Sequence, residues 1–135
     1  MSSNGHLYIA EAFSYANLRD FILERGGWEA QSNSKDEVEF FLPFPEGDAH
    51  AFMDLIYKEE IWDDSCIVYL QKIQEKLGTK PKASIFFDFG RDTIPQSYYE
   101  LAYDFCRKWH AIFENPVEQL FSCEQLKEKL KLVDV

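Results

Sequence analysis

The sequence predicts an α+β domain, a single unit over residues 1–135, with a largely antiparallel sheet and helices packed on it in the order β-α-β-β-α-α-β-α-β-β-α. Three observations predict it. Period-two apolar runs are interleaved with stripes at helical spacing along the whole chain. Two pairs of strand runs are joined by short polar turns, the signature of hairpins. Apolar residues make up 46% of the chain, with twelve Phe, seven Tyr and three Trp, so 135 residues are enough to bury one core without staples.

His6 to Phe13, HLYIAEAF, reads as the first strand. Ser14 is placed to cap a helix with Tyr15, Leu18, Phe21, Ile22 and Arg25 at helical spacing, closed by Gly26-Gly27, where a left-handed residue is easily accommodated. Trp28 to Gln31 is a short second strand, and QSNSKD a polar turn into a third. From Asp36 the period of two sets Val38, Phe40 and Leu42 on one face and Glu37, Glu39 and Phe41 on the other. Pro43 and Pro45 are expected to stop that strand, because proline cannot continue a ladder. After the turn P-E-G-D, Asp48 is placed to cap a helix running to about Ile61. Phe52, Leu55, Ile56 and Glu59 would lie along one side of it, and His50, Asp54 and Lys58 along another.

Asp63, Asp64 and Ser65 are natural caps for the next helix, in which Cys66, Leu70, Ile73 and Leu77 form the stripe and Gly78 the end. Ala83 to Phe89, ASIFFDF, is apolar enough for a central strand. Ser97-x-x-Glu100 has capping-box spacing and predicts a helix through Trp109, with Tyr98, Leu101, Ala102 and Phe105 inward. Ile112 to Phe121 reads as a hairpin turning at Asn115-Pro116, and Ser122-x-x-Gln125 opens a last helix with Leu126 and Leu130 inward. The opening elements are compatible with a split βαβ, ferredoxin-like core carrying a C-terminal extension.

Charge is distributed unevenly. Residues 36–64 hold ten carboxylates against one cation, Lys58, a net −9, and the rest of the chain holds 14 acids and 13 bases. The formal −10 therefore belongs almost wholly to one segment. Its apolar and aromatic content separates it from a disordered acidic tail. Capping accounts for Asp48, Asp63 and Asp64. Glu59 and Glu60 have no such reason, since acids in a last helical turn meet the negative end of the macrodipole at a cost of about 0.3–1 kcal/mol. Net acidity argues against nucleic acid and anionic membranes as ligands and favours a cationic protein surface.

Chemistry has few footholds. His6, His50 and His110 stand far apart without metal-ligand spacing, so no metal and no cofactor is expected. Asp88-Phe89-Gly90 spells the kinase magnesium triplet, but the glycine-rich loop, the strand lysine and the catalytic loop are missing, and a strand end with its turn accounts for it. No nucleophile elbow, P-loop or dinucleotide fingerprint is present, and no catalytic residue is expected. Cys66, Cys106 and Cys123 are odd in number without close-paired spacing, which predicts buried free thiols. The first six residues lack the basic start and apolar run of a signal peptide, and no apolar run approaches a membrane span, so a cytoplasmic protein is expected.

The C-terminal quarter, SYYELAYDFCRKWHAIFENPVEQLFSCEQLKEKL, resembles small acidic immunity proteins of bacterial toxin–immunity systems. The likeness lies in a helix ending near Trp109, a short strand, a hairpin and a capped helix written S-x-E-Q-L. It implies a non-enzymatic inhibitor that binds and neutralises one cognate toxin domain, many of which are cationic nucleases, and it transfers no functional residues. The charge pattern supplies those: Glu37, Glu39, Asp54, Glu59, Glu60, Asp63 and Asp64 as a negative field, with Phe41, Tyr57 and Trp62 as aromatic anchors for a basic protein partner. The alternative is a regulatory or scaffold module whose acidity serves solubility alone.

Overall fold

The computed structural model describes residues 3–30, 39–44, 47–54, 64–89 and 95–133. Its elements are β1 (Ser3–Ile9), α1 (Tyr15–Glu24), β2 (Trp28–Ala30), β3 (Glu39–Phe44), β4 (Gly47–Asp54), α2 (Asp64–Leu77), β5 (Ala83–Phe89), α3 (Pro95–Cys106), β6 (Ala111–Glu114), β7 (Leu120–Phe121) and α4 (Cys123–Val133). The predicted α+β class holds, and among the described residues the order departs from the predicted one at its fifth element alone. The strands form one sheet in the order β2-β3-β4-β5-β1-β6-β7, and every neighbouring pair is antiparallel.

That topology replaces the ferredoxin-like expectation. A split βαβ core sets its first strand parallel to a neighbour, whereas β1 lies between β5 and β6 and is antiparallel to both. Successive reversals across the sheet make β1 parallel to β2, so the connection through α1 passes over β3, β4 and β5. In the same way α3 carries the chain from β5 across β1 to β6.

β1 shows how the alternation sorts the layers. Leu7 and Ile9 are fully buried in the main core with Leu18, Phe21 and Ile22 of α1, Leu101, Ala102 and Phe105 of α3, and Leu126 of α4. Tyr8 and Ala10 point the other way, into a smaller cluster with Ile112 and with Ile73 and Leu77 of α2. Three helices thus cover one face of the sheet, hereafter the inner face. α2 covers the β1-β6-β7 end of the other. The inner layer is aromatic: Phe87 stacks on Phe89 with ring centroids 5.5 Å apart, and Phe105 meets Phe13 and Phe21 edge to face. Burial, and after it the neighbouring Tyr99, pushes the Tyr98 hydroxyl up to about 12, so this layer holds Tyr98 neutral.

Local signals set most helix ends. Ser14 caps α1 and forms a reciprocal box with Asn17, each backbone N–H donating to the other side chain. Gly26 then takes φ 82°, and Gly27 packs so closely that a Cβ there would stand 2.3 Å from the Phe41 carbonyl oxygen. The Ser122–Gln125 box at the start of α4 forms as predicted. α3, by contrast, starts at Pro95, two residues before the predicted cap. Pro is well suited to a first helical position, so Ser97 falls inside the first turn and is buried, and Gln96 Nε2 donates to Glu100.

Three further expectations are corrected. Residues 47–54 form β4, not the first half of a helix capped by Asp48, because β3 and β5 stand ready to pair on its two sides. β3 runs through Pro43 to Phe44. β2 reaches only as far as the Trp28–Phe41 pair, so no ladder on that side needs an N–H from Pro43. Finally, Cys106 and Cys123 are not free thiols but are joined in a disulfide, with Cα atoms 5.7 Å apart.

Candidate functional site

On β3 the predicted alternation is realised. Phe40 and Leu42 are each 1% exposed in the core, and Glu39 and Phe41 face the opposite side. The β2-β3 register sets Trp28 directly beside Phe41, and the two rings stack at 5.6 Å with an interplanar angle of 20°. Trp28 is 44% exposed. The outer face at this end of the sheet therefore carries a stacked aromatic pair with a carboxylate next to it.

The register carries the face inward across the sheet. Glu39 pairs with position 52 of β4, and Asp54 lies two residues further along that strand, opposite Ser84. Glu39 and Asp54 are thus diagonal neighbours, a relation that in antiparallel sheets spans about 7–8 Å. Next come the half-buried Phe86 and Asp88 of β5. On β1 the His6 ring stands edge-on to Phe86 at 5.2 Å and stacked on Tyr8 at 5.7 Å. His6 Nδ1 lies 2.9 Å from Glu114 Oε1, and Glu114 is buried with its second oxygen, Oε2, unpartnered. Beyond Glu114 the face passes under α2.

Of the ten residues predicted as a partner-binding set, Glu39, Phe41 and Asp54 come together on adjacent strands. Asp54 closes a strand rather than standing on a helix. Asp64 is the first residue of α2. Glu37, Tyr57, Glu59, Glu60, Trp62 and Asp63 lie outside the described residues. Trp28 was missing from the predicted set. Its signal was the hairpin itself, because joining Trp28–Gln31 to the acidic strand makes some residue of that run a neighbour of Phe41.

Elsewhere three cations are paired with acids. Arg25 pairs with Asp104, Lys108 with Glu24 at 2.7 Å and Lys131 with Glu128 at 3.9 Å, all acids outside the 36–64 segment. The first two pairs line a surface cleft of about 390 Å³ between α1 and the end of α3 and tie its walls together. Among the described residues no three His, Cys, Asp or Glu side chains are grouped so as to hold a metal, and no helix is long and apolar enough to cross a membrane. No family model, curated protein or solved structure matches this chain.

Proposed function

We propose that this chain is a non-enzymatic inhibitor of a basic protein, an immunity protein that neutralises a cognate bacterial toxin domain in the cytoplasm by docking its acidic-aromatic outer face. The observation that carries the reading is the exposed Trp28 stacked on Phe41 beside Glu39, with Phe41 and Glu39 belonging to the 36–64 segment that holds most of the net charge. Rings in such a pair supply affinity at low entropic cost, and the carboxylates steer encounter and fix orientation. A cationic nuclease surface, built to hold phosphate, has the complementary field. The resemblance of the C-terminal quarter to immunity proteins agrees with this assignment.

The experiment is capture of the partner from the native cell on the tagged chain, followed by association kinetics with the captured protein. Glu59→Lys combined with Glu60→Lys should slow association far more than it lowers the unfolding midpoint. The loss should shrink as salt rises through about 0.1 M, where the Debye length is about 10 Å. Unchanged association at low salt would remove the acidic face from the proposal.

A further inference from the structure

We propose that the Cys106–Cys123 disulfide is a redox latch that holds α4 against α3 and releases it, without unfolding the sheet, when reduced. Cys106 is the last residue of α3 and Cys123 the first of α4, so the bond closes a loop of sequence separation 17 around the β6-β7 hairpin. Both residues are partly exposed, which gives a reductant access.

Apart from the disulfide, α4 is held through few buried side chains. Of its described side chains Leu126 alone is fully buried, with Leu130 partly so. Lys129 lies over the Tyr99 and Phe121 rings at 4.9 and 5.1 Å. β7, the strand leading into α4, has two residues and pairs only with β6. An eleven-residue helix is marginal in water once it loses its tertiary contacts, even with the Ser122–Gln125 box in place. Most of the core, including Leu7, Ile9, Phe87, Phe89, Phe105 and Phe113, is built from β1, β5, α3 and β6, with Leu126 the one fully buried side chain that α4 adds to it among the described residues.

The exchange is balanced by a dithiol. One of its thiolates attacks Cys106 Sγ and the S–S bond breaks. Cys123 then leaves as a thiolate at the N-terminal end of α4, where the helix dipole favours negative charge. The reductant's second thiolate displaces Cys106, closing its own disulfide. Two electrons pass to the protein, and both cysteines take up protons from solvent. The compartment's thiol poise then decides the state: open where glutathione and thioredoxin systems keep thiols reduced, closed where they do not. Opening uncovers Tyr99 and Phe121, whose rings lie 5.5 Å apart, and leaves Leu126 exposed on the released helix.

Hydrogen exchange read by mass spectrometry, on the full chain with and without dithiothreitol, tests this directly. Thiol labelling should first count one free cysteine after treatment with oxidised glutathione and three after reduction. Reduction should then speed amide exchange in residues 123–133 by about a hundredfold, the loss expected for a loop of this size, with β1, β5 and β6 unaffected. The Cys106→Ser, Cys123→Ser double variant should show the reduced pattern with no reductant present. Three free cysteines after oxidation, an α4 indifferent to reduction, or exchange rising together in every element would each overturn the latch, the last by making the bond a global staple.

Discussion

Phenylalanine occupies both faces of the sheet and does different work on each. On the inner face Phe40, Phe87, Phe89 and Phe113 have at most 1% of their surface exposed and pack in the main apolar core. On the outer face Phe41 and Phe86 are half-buried and interleaved with Glu39, Asp88 and the His6–Glu114 pair. The residue type is the same, and a shift of one position along a strand separates a ring sealed in the core from one interleaved with charged and polar side chains.

The largest effect belongs to the inner face. Phe87→Ala removes a fully buried ring stacked on Phe89 and should lower unfolding free energy by about 3–5 kcal/mol in urea denaturation. A loss comparable with that of an outer-face ring would break the distinction. Gly27→Ala comes next, because its Cβ would meet the Phe41 carbonyl and Ile22, pushing the α1-β2 corner off β3. A cost of about 1–3 kcal/mol is expected by the same measurement, together with a weakened Trp28–Phe41 stack.

Trp28→Ala should cost about 0.5–1.5 kcal/mol of stability, the value of an aromatic pair, and yet weaken partner binding more than tenfold by calorimetry with the captured protein. The smallest stability change, about 1 kcal/mol or less, is expected for Glu39→Lys, whose effect should instead appear as slower association that fades at high salt. If Trp28→Ala left binding intact while Glu39→Lys did not, charge rather than ring contact would define the outer face.

What the sequence made legible was whatever local physics decides. The boundaries of α1 and α4 follow from caps and stripes, β5 from an apolar run between turn residues, and the inward set Phe40 and Leu42 from a period of two. β4 was missed although Asp48, His50, Phe52 and Asp54 alternate with Ala49, Ala51 and Met53. The same residues also fit a helical stripe continuing through Leu55 and Ile56, and only pairing with β3 and with β5, far along the chain, decides between the two periods. The disulfide had no spacing signature, since its cysteines meet only because α4 folds back on α3. Trp28 escaped because the register of β2 against β3 is fixed by the connection between them and not by either strand's own pattern.

β1 precedes the other described strands in the chain and stands in the interior of the sheet, and its ladder partners begin only at Ala83 and Ala111. Until residues 83–114 have been synthesised, Leu7 and Ile9 have no strand to lie against, and the nascent chain has an apolar edge to shield. Cooperative folding must wait until Glu114 has emerged. The high separation between partners in the chain predicts a folding time nearer milliseconds to seconds than microseconds. A fragment ending at α2 should remain a binding target for chaperones.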